Sequence, residues 1–197
     1  MRRLIDLVKG FPGHPSHPPL TDASIGAYTV GVIMLVLGAL GVEEKQMAHG
    51  GLLALSGGLL LAAPTAITGL LDWLDLAKGS PARQLATIHL FTMVSATVVF
   101  AVAWLLQRPG YVHGTVKPGG WIVAVAAELL LAAGGYMGGT IVFVYGHRVV
   151  NRPRTAVRSA LTPAAPPPSD PSDGAQRIDS AEARSMQTQT QERSTNG

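Results

Sequence analysis

Two histidines stand three residues apart in the stretch Gly13-His14-Pro15-Ser16-His17-Pro18-Pro19, just ahead of the first long apolar run. An imidazole there can ligate haem iron or another metal, or relay protons. The prolines predict an extended, polyproline-like path. That path puts both rings on one side, roughly 9 Å apart at about 3.1 Å per residue. The separation is long for one metal without a bend, so hydrogen bonding to the loop and helix ends is the default role. A third imidazole, His89, falls about one turn inside a later apolar run, with Met93 one turn further on. Haem held by His and Met, or by two His on neighbouring helices, is built in this way inside bundles. His14, His17 and His89 are therefore the candidate haem or metal ligands. The cofactor is left open by these residue types, with haem b as a candidate. The plainer alternative for His89 is a hydrogen bond to Asp22 or Asp72.

Other polar groups gather near the same ends of the apolar runs: Asp22, Asp72, Asp75, Arg83, Tyr145, His147 and Arg148. Thr21 is placed to cap the first run, and Asp22 then lies near its positive end. Asp22 could instead accept a histidine's second N–H. Asp72 and Asp75 flank Trp73 at i, i+3. Pairing with Arg83, Arg148 or a histidine is the expected role for them. Glu128 lies about two turns inside the fourth run. A carboxyl in the membrane marks a functional site by default, with Tyr28, Ser95 or another subunit as its partner. Nothing reads as an activated nucleophile or a substrate cleft. No phosphate-cradling loop, HExxH pair or Gly-x-Ser-x-Gly elbow occurs. No enzymatic activity is expected.

These side chains must be carried by membrane helices. The 197 residues are 47% hydrophobic and only 14% charged, against roughly 25% charged in a soluble domain. The apolar residues concentrate into four spans, at about 23–42, 49–71, 86–106 and 120–145. Each suits the roughly 20 residues needed to cross a bilayer. The predicted fold class is all-α: an integral-membrane four-helix bundle with a disordered C-terminal tail. The segments are an N-terminal interfacial stretch (1–19), the transmembrane domain (20–150) and a polar tail (151–197). Residues 2–11 carry apolar side chains at i, i+3, i+4 and i+7, as in a helix lying in the headgroup layer. The tail is rich in Pro, Ser, Thr and Gln, and lacks the apolar surface that would offset its ordering entropy.

With no cysteine, disulfides, thiolate zinc sites and cysteine-held iron–sulfur clusters are excluded. The net charge of +3 comes without the basic, aromatic-interleaved patch that nucleic acid requires. The first nine residues lack the apolar core of a secretory signal. Four spans put both termini on one side. Most lysines and arginines lie on that side, against only Lys45, Arg108 and Lys117 opposite. The positive-inside rule then places both termini in the cytoplasm of an inner-membrane protein. Gly134, Gly135, Gly138 and Gly139 form two interleaved small-xxx-small pairs, which permit close helix approach in lipid.

Four segments in order carry a resemblance. They are Gly13 to Leu20 running to Gly26, Thr68-Gly-Leu-Leu-Asp-Trp-Leu-Asp75, the stretch 85–93 with His89, and Gly134 to Gly139 running to Tyr145-Gly146. Together, over roughly residues 10–150, they resemble the DUF2231 family of bacterial four-helix membrane domains, a domain of unknown function. The resemblance implies the fold and a membrane location. Some relatives carry a fused Rieske domain, which implies a link to membrane redox chains. This chain departs from the family at Asp22-Ala23 and at His147-Arg148, and without cysteine it cannot hold such a cluster. A redox role would need haem, quinone or a partner. The expected function is a non-enzymatic accessory or scaffold component of a bacterial inner-membrane assembly. Its partners would be the lipid bilayer, and a membrane redox complex or a second copy. The alternatives are a b-type haem or quinone-linked electron carrier and, more weakly, a small transport unit using Asp22, His89 and Glu128.

Overall fold

The four apolar runs become four helices in the computed structural model, which describes residues 8–11 and 13–149. They are α1 (His17–Ala39), α2 (Glu44–Asp75), α3 (Pro81–His113) and α4 (Pro118–Phe143). Two short strands, β1 (Gly10–Phe11) and β2 (His14–Pro15), precede them and pair antiparallel, with Phe11 opposite His14. The helices have 23 to 33 residues. At 1.5 Å per residue that is about 35–50 Å, enough to cross a hydrocarbon core of about 30 Å. All four are long and apolar enough to span a membrane. Their outward faces carry bare apolar side chains, such as Leu60 (76% exposed), Leu129 (70%) and Phe143 (88%). Water would not tolerate so large a patch, whereas lipid does. The interfacial segment expected over 1–19 is described only from residue 8. The tail expected over 151–197 lies outside the described residues.

Each helix begins before its expected span, and the first begins in a conformation other than the expected one. Pro18 and Pro19 do not hold the chain extended. Helix α1 begins at His17, and the prolines occupy its first turn. A first-turn residue has no intrahelical partner for its N–H, so proline costs nothing there. Thr21 is consequently one turn inside the helix and does not cap it; Ser16 takes the N-cap position. Helix α2 also runs further than the apolar stretch suggested, carrying Asp72 and Asp75 on its last turn. The Ser80 hydroxyl caps α3 by accepting from Arg83 N at 3.2 Å, and Gly114 ends it in the left-handed conformation.

The bundle is two hairpins, α1–α2 and α3–α4, each packed more closely within itself than against the other. Small residues set the close approaches. A Cβ on Gly51 would lie 2.7 Å from Leu35 Cδ2, and one on Gly134 would overlap Met93. Gly138 faces His89, whereas Gly135 meets nothing within 4 Å and Gly139 only its own helix's Phe143. The four-glycine stretch thus uses one of its two faces against α3. Between the hairpins, Tyr28 stacks on Phe100 with ring centroids 4.0 Å apart and planes within 2°. Leu35, Leu55, Ala96, Ala103, Ala124 and Ala127 complete the core around them. At the far end, the buried Gln107 side chain donates to Thr115 O and accepts from Lys117 N, locking the α3–α4 turn.

Candidate functional site

Above the Tyr28–Phe100 stack the hairpins part and enclose a cavity of about 440 Å³. Helical periodicity supplies its walls. On α1 the lining residues include His17, Thr21, Ser24 and Tyr28, one stripe spaced at three and four residues. His17 and Tyr28 are eleven residues apart, so the stripe is roughly 16 Å long at 1.5 Å per residue. Helix α3 adds His89, Met93 and Thr97 in the same spacing, and α2 adds Thr65, Gly69, Asp72 and Trp73. The deep half is apolar. The other half carries most of the polar groups and ends at His147 and Arg148, which follow α4.

His17 is held from α2. Its Nδ1 lies 3.0 Å from Thr65 O and 3.2 Å from Thr68 Oγ1. A carbonyl can only accept, so Nδ1 carries the hydrogen, and in the neutral ring Nε2 is left as a lone pair. Thr21 Oγ1 approaches Nε2 at 3.4 Å, but the hydroxyl donates to His17 O at 2.9 Å. Gly69 makes the arrangement possible, since a Cβ there would lie 2.7 Å from His17 Cε1. His89 repeats the pattern on the other hairpin. Its Nδ1 donates to Gly134 O at 2.9 Å, and its ring packs on Gly138. Its Nε2 makes no hydrogen bond among the described residues. Two imidazoles from opposite hairpins therefore line one cavity with acceptor nitrogens.

At the mouth, Arg148 Nη2 lies 2.7 Å from Asp72 Oδ1 and 4.0 Å from Asp75 Oδ2. The Arg148 guanidinium also donates to Gly10 O at 3.4 Å, and Lys9 pairs with Asp75. These contacts draw the β1–β2 ribbon, the end of α2 and the end of α4 together. Arg148 adopts a left-handed backbone conformation (φ 60°) to make them. His147 is held beside this cluster. Burial pushes its imidazole below the usual value, against the pull of Asp72. Its Nε2 is buried without a partner among the described residues, as is the Tyr28 hydroxyl at the deep end.

The remaining expected site residues fall elsewhere. His14 is exposed on β2 and takes no part in the cavity wall. Asp22 is exposed and lines no part of the cavity; the carboxylate beside the histidines is Asp72. Arg83 pairs with no acid among the described residues. It donates to Trp73 O and Leu76 O, and stacks 3.9 Å over the Trp73 ring, closing the end of α2. Tyr145 is 45% exposed, outside the cavity. Glu128 takes neither Tyr28 nor Ser95 as partner: its Oε1 accepts from Thr29 Oγ1 at 2.8 Å, away from the cavity. Thr65, Thr68 and Tyr28 are the contributors that residue type alone did not single out as site residues. Their signal was polar atoms at one-turn spacing in otherwise apolar spans.

Among the described residues, no group of three or more His, Asp or Glu converges to hold a metal ion. No curated protein and no solved structure matches the chain. The model of the family described as "Predicted membrane protein (DUF2231)" matches residues 13–151, which include every helix and the whole cavity wall, and the chain belongs to that family.

Proposed function

We propose that this protein binds a lipid-soluble molecule with a polar head in the cavity between its hairpins. It would do so as a non-enzymatic component of a bacterial inner-membrane assembly. The cavity carries the reading. Its volume of about 440 Å³ lies within the range of small-molecule sites, and it combines apolar walls with a few convergent polar groups. The residues that line the cavity run from Gly13 to Val149. The positive-inside rule favours a cytoplasmic position for both termini and the mouth, and places the tail where a soluble partner can reach it. The transport reading has less support: of Asp22, His89 and Glu128, only His89 lines the cavity.

The test is retention. Full-length protein purified in mild detergent is extracted with organic solvent, and the extract is analysed by mass spectrometry. The wild type should retain a lipid-soluble molecule that Ala62→Phe, which places a ring in the cavity, loses. Equal content in both proteins would overturn the proposal.

Haem b between His17 and His89 is the second reading, favoured by the two Nε2 lone pairs that face one cavity. Its propionates would need cations, and Arg148 and Lys9 are already paired with Asp72 and Asp75. Absence of a Soret band in protein made with ample haem would remove this reading. A band surviving combined His17→Ala and His89→Ala would remove the ligand assignment.

A further inference from the structure

The two cavity histidines share a feature that restricts what can bind. Each spends its Nδ1–H on a backbone carbonyl of a helix from its own hairpin, His17 on Thr65 O and His89 on Gly134 O. A neutral ring so fixed can only accept at Nε2. Two acceptors on opposite walls of a mostly apolar cavity leave any polar ligand atom between them in need of hydrogen. A ligand offering only carbonyl oxygens would set lone pair against lone pair and leave buried polar atoms unpaired. A ligand with two O–H groups satisfies both nitrogens.

The shape of the site adds to this. A planar ring needs little of the volume, since about 150 Å³ holds benzene, while the cavity has about 440 Å³. The remainder is apolar space toward Tyr28, Met93 and Val94, suited to a hydrocarbon tail. The Tyr28 hydroxyl is buried there without a partner among the described residues, available to a substituent on the ring or tail.

Resting on the cavity-binding reading, we infer that the ligand is a quinol-class lipid, a tailed ring with two phenolic O–H groups, held by His17 Nε2 and His89 Nε2. It binds in its reduced form in preference to its oxidised one. No electron transfer is required of this chain. It would hold or deliver the reduced carrier.

The experiment uses full-length protein in detergent or nanodiscs and a short-tailed benzoquinol, titrated calorimetrically beside the corresponding benzoquinone. The quinol should bind about tenfold or more tightly than the quinone, because the quinone loses hydrogen bonds to two buried acceptors. His89→Phe should abolish most of that preference. Thr68→Val, which removes one acceptor of the His17 Nδ1–H while Thr65 O remains, should reduce it only slightly. If His89→Phe does not fold, the wild-type ratio still decides. Equal affinity for the two forms, or tighter binding of the quinone, overturns the inference. Binding of a long-chain monohydric alcohol as tightly as the quinol overturns it too. If neither ring compound binds but a co-purified lipid is lost in Ala62→Phe, the quinol assignment falls and the cavity reading stands. If nothing is retained or bound, both fall.

Discussion

The imidazole of His17 occupies the space that a side chain at Gly69 would need, its Cε1 lying 2.7 Å from the place of a Cβ. Gly69 is thereby part of the device that aims His17 across to Thr65 and Thr68. Gly69→Ala should force the ring off these partners and destabilise the protein by about 1–3 kcal/mol, the range for overpacking. Thermal unfolding in detergent measures this. Gly57→Ala is the control, because no atom lies within 4 Å of a Cβ there. It should be neutral or stabilising by up to about 1 kcal/mol from helix propensity. Equal behaviour of the two variants would show that Gly69 does not position His17.

Arg148 and Asp72 form the closure of the cavity mouth. Both side chains are mostly buried, at 15% and 11% exposed. Removing one partner of a buried pair leaves a charge unpaired, which costs about 3–5 kcal/mol, whereas replacing both by apolar groups can be nearly neutral. Arg148→Met should therefore destabilise strongly, and the double variant Arg148→Met with Asp72→Leu should recover most of the loss. Denaturant unfolding of the two variants and Asp72→Leu alone completes the cycle. Strict additivity would mean that the two side chains do not interact.

Thr29 gives Glu128 the one hydrogen bond it has among the described residues, and Oε2 is buried without a partner. Thr29→Val should cost about 1–3 kcal/mol, as a buried polar group loses its bond. Adding Glu128→Leu should restore the loss. A Thr29→Val protein as stable as the wild type would show that Glu128 finds its partner elsewhere.

Much of this was legible in residue types and spacing. Four apolar runs gave four spanning helices, because in lipid every backbone group must bond within its own segment. The polar rim was legible as a collection, but its pairings were not. Asp22 and Asp72 look alike in sequence, yet only Asp72 reaches the cavity, because helix rotation decides the facing and each apolar span is nearly uniform around its axis. The prolines misled for a local reason: Pro18-Pro19 suits both an extended path and a first helical turn. The cavity itself could not be read, since it depends on how far two hairpins separate. Its trace was the one-turn spacing of Thr65 and Thr68, and of His89 and Met93.

His147 makes stability depend on pH in a stated direction. Burial is the main cause that holds its imidazole below the ordinary value of 6.5. Asp72 opposes this, Arg148 adds to it, and Asp75 and Lys9 act as weaker opposing and reinforcing charges. The unfolded chain then binds a proton at His147 more readily than the folded one. Above about pH 6.5 both states are neutral there and nothing is lost. As pH falls through that value toward the folded one, the unfolded state gains the proton first and stability declines. The window from about pH 7 down to about pH 5 brackets the ordinary imidazole value. Thermal midpoints of the wild type should fall across that window. His147→Gln should show a shallower fall, and the difference between the two curves reports His147 alone. Parallel curves would mean that the ring takes its proton as easily in the folded protein as in the unfolded chain.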